Sequence, residues 1–216
     1  RQRQMCIRDR PSRGKIRING IKVNQAQKEQ SVAYVPQNEG IDYSFPVSVW
    51  DVVMMGRYGA MNIFRIPRES DRRAVVHALE RVDLLDLRER PIGSLSGGQR
   101  KRAFLARAIA QRASVLLLDE PFAALDAFTR EDLWNVMLKL KSEQDFTCIL
   151  ITHDLREAVY LADQVIVLSG RPATLQYTVQ SDFKKNKTIS DLYSSKVTKL
   201  LSTLRQQIEI AQSKNE

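Results

Sequence analysis

Apolar residues fall along this chain in two rhythms. Residues 115 to 118 are apolar without a break, as in a strand covered on both faces, whereas Val75, Val76, Leu79 and Val82 recur at helical spacing. The same reading predicts a strand and hairpin over Lys15 to Gly20, turned by Asn19-Gly20, and a strand over Ser31 to Val35 closed by Pro36. A helix is predicted from Val49 to Met55, with Ser48 as N-cap and Asp51 as its capping-box partner, and another beyond Ser96 with the stripe Phe104, Leu105, Ala108 and Ile109. Strands and helices then alternate. The helix marked by Leu133, Val136, Met137 and Leu140 is followed by a strand over 146–151, a short helix over 155–161 and a strand over 164–168. Such a succession predicts an α/β domain, a mainly parallel sheet with helices packed on it, over 11–172. In the remaining segment, 173–216, Leu175 to Val179 reads as one more strand. Ile189, Leu192, Tyr193, Val197, Leu200, Leu201, Leu204 and Ile208 read as one stripe of a closing amphipathic helix.

Composition narrows the function classes. A chain of 216 residues, 43% apolar and 27% charged, suits one globular domain with an appendage. No apolar run approaches the ~18 residues of a membrane span, and the N-terminus lacks a signal pattern, so a cytosolic protein that reaches a membrane through partners is expected. The net charge of +9 raises the question of nucleic acid. Its distribution answers against it: Arg1, Arg3, Arg8, Arg10 and Arg13 face only Asp9, and the other excess lies largely among lysines between Lys184 and Lys199 on a solvated helix face. Residues 1–10 show no period, and Met5 to Arg10 resembles translated sequencing-adapter DNA, so this segment is expected to be a non-native stub. Cys6 and Cys148 are too few for a disulfide framework, and Cys148, inside an apolar run, reads as a buried thiol.

Candidate chemistry gathers in four places. Ser96-Gly97-Gly98 opens a helix: Ser96 can cap it, and the glycines let free N–H groups approach an anion such as a terminal phosphate. Asp119 and Glu120 end the apolar strand at 115–118, where open α/β sheets bind ligands. Asp119 is placed to hold Mg²⁺ through water, and Glu120 to polarise the water that attacks a γ-phosphate. His153 follows the strand at 146–151 and reads as a γ-phosphate sensor; His77, among helix residues, reads as structural. Gln37 follows Val35-Pro36 at a strand end, from which it can reach a metal and the attacking water.

In this order the chain resembles the ATPases of ATP-binding cassette (ABC) transporters. Gln37 looks like the Q-loop, Leu95 to Gln99 the signature, Val115 to Glu120 the Walker B strand, Leu125-Asp126 the D-loop, and His153 the switch histidine. The resemblance implies a P-loop NTPase-like fold with a helical signature subdomain. It also implies two such domains facing head to tail around ATP and Mg²⁺, with Gln99 and Asp126 joining Ser96, Gly97 and Gly98 against the partner's nucleotide. Membrane permease subunits, and indirectly a substrate-binding protein, are the further implied partners, at the cytoplasmic face of a membrane. The family's phosphate loop, G-x-x-x-x-G-K-[ST], occurs nowhere in the sequence. The expectation is therefore a subunit lacking its N-terminal part, and no ATPase activity from this chain alone.

The transported substrate is read from two regions that disagree. Asp42 to Val49 leading into Asp51 to Tyr58 resembles importers of manganese, zinc or chelated iron. Phe122 to Arg130, with Thr152 to Asp163, resembles nitrate, sulfonate and taurine importers. Metal is favoured, because the first region is the one that meets the permease in the family. A non-transport ABC ATPase would show two cassettes or a long coiled-coil insertion, and neither is present. A non-catalytic interaction fragment is the last alternative.

Overall fold

The Asn-Gly signal builds its hairpin in short form in the computed structural model, which describes residues 14–37, 46–143, 145–170, 173–181 and 188–213. Strands β1 (Arg17–Ile18) and β2 (Ile21–Lys22) pair antiparallel. Asn19 and Gly20 both adopt positive φ (50° and 79°), which a two-residue type I′ turn requires. The expected stub at 1–10, and residues 42–45 of the metal-importer likeness, lie outside the described residues.

One element was not legible in the apolar pattern. Helix α1 (Val23–Lys28) is polar along most of its length and buries only Ala26. It leads to strand β3 (Val32–Val35). Helix α2 (Val49–Met54) starts where Ser48 and Asp51 close the expected capping box, the Asp51 N–H donating to Ser48 Oγ at 3.1 Å and the Ser48 N–H to Asp51 Oδ2 at 3.2 Å. A 3₁₀ turn (Met55–Arg57) and helix α3 (Glu69–Arg81) follow. They are joined by a buried ion pair, Arg57 Nε to Asp71 Oδ1 at 3.0 Å. Burial alone would raise the Asp71 carboxyl, but the Arg68 N–H and the Arg57 guanidinium outweigh it and hold the group below the usual range. With α4 (Gly97–Ala110) these helices form one packed group whose core includes Val52, Val53, Val75, Leu79 and Phe104.

Strand β4 (Val115–Asp119) lies between β3 and β5 (Thr147–Ile151) in a parallel three-stranded sheet. The register sets Val35 beside Leu118, and Leu118 beside Leu150, so the three strands end at one level. Helix α5 (Ala127–Glu143) connects β4 to β5, and α6 (Leu155–Leu161) leaves the end of β5. Phe122, Trp134 and Tyr160 form an aromatic chain beneath that end, with ring centroids 6.5 and 5.4 Å apart.

Two expectations need correction. The strand at 164–168, β6 (Gln164–Leu168), does not join the parallel sheet among the described residues but pairs antiparallel with β7 (Leu175–Gln180). The short connection favours the local pairing: Ser169 N–H donates to Thr174 O, and Thr174 N–H to Ser169 Oγ, each at 2.9 Å. The closing helix is not one piece either. Ile189–Tyr193 is 3₁₀, Ser194 is extended, and only Ser195–Ser213 is helix α7. Thr188 and Asp191 cap the first turn, and Ser194 Oγ donates to Asp191 O at 2.8 Å, which ends that turn.

Candidate active site

The level ends of β3, β4 and β5 set three side chains on one another. Glu120 follows β4 directly, in a left-handed backbone conformation (φ 45°) that a non-glycine residue adopts only under constraint. Its N–H donates to Ile151 O at 2.9 Å, tying the turn to the end of β5. Its carboxylate then meets both neighbours: Gln37 Nε2 donates to Oε2 at 2.6 Å, and His153 Nδ1 lies 3.0 Å from Oε1. The His153 side chain is 77% exposed, while that of Glu120 is 28% exposed, so the carboxylate is sheltered and the imidazole lies on the solvent side. A cavity of about 210 Å³ borders this group, lined by Glu120 and His153 together with Phe122, Arg130, Thr152 and Glu157.

Asp119 lies one residue earlier, at the last position of β4, and its Oδ2 accepts from Tyr34 Oη at 2.9 Å. The donor set around it is sparse. Among the described residues no three His, Cys, Asp or Glu side chains are grouped to hold a metal ion. A single carboxylate at the strand end fits Mg²⁺, which is held by one or two carboxylates and completed by phosphates and water.

At the start of α4 the expected Ser96 cap forms, the Gln99 N–H donating to Ser96 Oγ at 3.2 Å, and the Gln99 side chain completes a capping box by accepting the Ser96 N–H on Oε1 at 3.0 Å. The Gln99 side chain therefore closes its own helix. Gly98 is there for a packing reason, since a Cβ at that position would collide with the methyl of Thr129 on α5. At Gly97 a Cβ would meet nothing nearer than Leu125 Cδ2 at 3.9 Å, so the outer side of this turn is open. Asp126 caps α5 by accepting the Thr129 N–H at 3.0 Å, and Thr129 holds its carboxyl below the usual range.

The structure thus sorts the predicted residues into two groups. Gln37, Asp119, Glu120 and His153 share the strand ends; Ser96, Gly97, Gly98 and Gln99 share the α4 turn, which packs on the start of α5 beside Asp126. His77 is exposed on α3 and bonds to neither group. Cys148 is half-buried on β5, where desolvation pushes its thiol up to about 11.

Three side chains went unread in the sequence. Tyr34 orients Asp119, Lys101 Nζ donates to Gln37 O at 2.8 Å from α4, and Arg130 reaches Leu125 O at 3.0 Å and Asp154 Oδ2 at 3.4 Å. Tyr34 lies in a strand and Lys101 and Arg130 in helices that read equally well as scaffold, and no local signal separates them from their neighbours.

Residues 3–123 match the family model described as ABC transporter. The manganese transport system ATP-binding protein MntA of Synechocystis is 49% identical over 81% of this chain and 66% of its own length. The chelated iron transport system membrane protein YfeB of Yersinia pestis is 46% identical over 74% of this chain and 54% of its own. The chain therefore spans between about half and two thirds of these relatives. An aligned stretch of 175 residues cannot avoid either half of a 216-residue chain, so the likeness to the manganese protein runs through both regions that disagreed over substrate. Among solved structures, a chain of a metal-chelate type ABC transporter in an inward-facing conformation superimposes with a TM-score of 0.61 at 29% identity, covering 80% of this chain and 64% of that one.

Proposed function

Because this chain belongs to the ABC transporter family, we propose that it is the hydrolytic portion of an ATP-binding subunit that drives import of a metal ion, manganese, zinc or chelated iron. The observation that carries the reading is the convergence of Gln37 and His153 on the two oxygens of Glu120 at the edge of a parallel sheet. A carboxylate so held can take a proton from water in line with a terminal phosphate, and His153, on the open side, can orient that water. Asp119 and Gln37 would hold Mg²⁺, which when bound offsets the negative charge of the phosphates. Ser96, Gly97 and Gly98 present the positive end of α4 to a phosphate of a second subunit's nucleotide, with Gln99 and Asp126 fixing the two helix starts. The metal substrate is supported by the names of the relatives. No described helix is long and apolar enough to cross a membrane. Membership of the ABC family supports permease partners and a second copy of this subunit, at the cytoplasmic face of a membrane.

The test is ATP turnover by the complete subunit assembled with its permease. Glu120→Gln is expected to bind ATP normally and to lose about 10²-fold or more in turnover. Unimpaired hydrolysis would remove Glu120 from the base role.

A further inference from the structure

Arg130 occupies a singular place beside the Glu120 cavity. Its guanidinium donates from Nη2 to Leu125 O at 3.0 Å, on the turn after β4, and from Nη1 to Asp154 Oδ2 at 3.4 Å, on the turn after β5. Its Nε is buried, 3.9 Å from Glu157 Oε1, and has no hydrogen-bond partner. Glu157 is itself buried on α6, and its other oxygen accepts from Thr152 Oγ1 at 2.5 Å. Thr152 Oγ1 in turn accepts the Asp154 N–H at 3.0 Å. Both residues that flank His153 are thus held in one network whose other end grips the segment leading away from Glu120.

A network of this cost is unusual for scaffold alone. It keeps a carboxylate buried and leaves a buried guanidinium nitrogen unbonded, where an apolar contact of similar size would serve packing as well. What it achieves is directional. His153 is mostly exposed, so packing does not hold its ring against Glu120; the backbone on either side of it does.

We propose that Arg130 is a positioning residue that, with Glu157, clamps the His153 turn to the turn after Glu120 and so holds the imidazole against the carboxylate. This deepens the hydrolytic reading and rests on it. Removing the clamp leaves Glu120 in place, because the Glu120 N–H bond to Ile151 O and its Gln37 bond do not involve Arg130. It frees His153.

The chain contains two histidines, so nitrogen NMR of ¹⁵N-histidine-labelled protein resolves His153 with His77 as internal control. In the parent, neutral His153 is expected to carry its proton on Nδ1, donating to Glu120. In Arg130→Met, and in Arg130→Gln should the first variant not fold, the His153 signals shift to a mixture of tautomers while those of His77 stay unchanged. In the complete subunit the same variants are expected to lose on the order of 10- to 100-fold in kcat with KM for ATP unchanged, and to cost nothing further when His153 is already alanine. Unchanged His153 signals, a loss confined to KM, or a loss that adds in full to that of His153→Ala would each overturn the clamp. Normal turnover by Glu120→Gln would instead sink the hydrolytic reading, and the NMR result would stand apart from it.

Discussion

Glu157 and Glu120 sit a few residues from His153 in space and are held in opposite ways. Glu120 has two polar neighbours and a solvent-side opening. Glu157 is buried, and desolvation pushes its carboxyl above the ordinary range, with Asp154 adding to the rise and the Thr152 hydroxyl, Arg130 and His153 opposing it. A carboxyl whose folded-state pKa is raised binds its proton more tightly in the folded protein. Its contribution to stability is therefore greatest below the unfolded value of about 4.3 and is lost as pH rises through the folded value. Glu157→Gln stays neutral at every pH and can keep an oxygen on Thr152. Its melting temperature relative to the parent is expected to climb between pH 4.5 and 7.5, and a decline over that range would contradict the assignment. At the same scale, His153→Ala should cripple turnover of the assembled transporter and His77→Ala should not, since His77 is exposed on α3 and takes no part in the bonds around Glu120; equal losses would overturn the separate roles of the two histidines.

Among elements, the contact between α4 and α5 joins the two helix starts that carry Ser96 to Gln99 and Asp126. A methyl at Gly98 runs into that of Thr129, so Gly98→Ala is expected to destabilise the fold by about 1–3 kcal/mol, as overpacking does. Thr129→Ser removes the colliding methyl and should restore most of the loss, which denaturant midpoints of the double variant would show. Local chemistry explains how much of the architecture could be read beforehand. The hairpin at Asn19-Gly20 and the caps at Ser48 and Ser96 were legible because each signal lies within four residues of what it controls. Helix α1 was not, for it buries a single alanine and has no stripe. The break at Ser194 escaped because the apolar period runs straight across it while side-chain caps decide the geometry. The site was legible as a set of strand-end residues, but that Glu120 bonds Gln37 and His153 together, or that Arg130 ties two turns, depends on which strands become neighbours. No single stretch of sequence encodes that.

At the scale of the molecule, large apolar side chains on the strands are exposed among the described residues. Ile149 and Ile151 on β5, Ile166 and Leu168 on β6, and Leu175 on β7 are each about half exposed or more. Purified residues 1–216 are expected to associate with rising concentration, and Ile149→Thr with Ile166→Thr should reduce this without lowering the melting temperature. Light scattering across a dilution series reads it directly. The same preparation is expected to release no phosphate from Mg²⁺-ATP above a Glu120→Gln blank, since no G-x-x-x-x-G-K-[ST] loop is present to cradle the nucleotide; a clear rate above that blank would require such a loop to exist in another form. The level ending of β3, β4 and β5 has a last consequence, for tolerance to insertion and deletion. Val35, Leu118 and Leu150 stand abreast, and the three site residues follow them by two or three positions, so the strands act as a ruler with a common zero. One residue added inside any of the three would advance its strand end by about 3.3 Å and turn the side chain to the other face. Lengthening the loop between α2 and α3 would leave all three marks where they are. A scan of single-residue insertions should therefore find this site intolerant along three short stretches far apart in the gene and permissive between them.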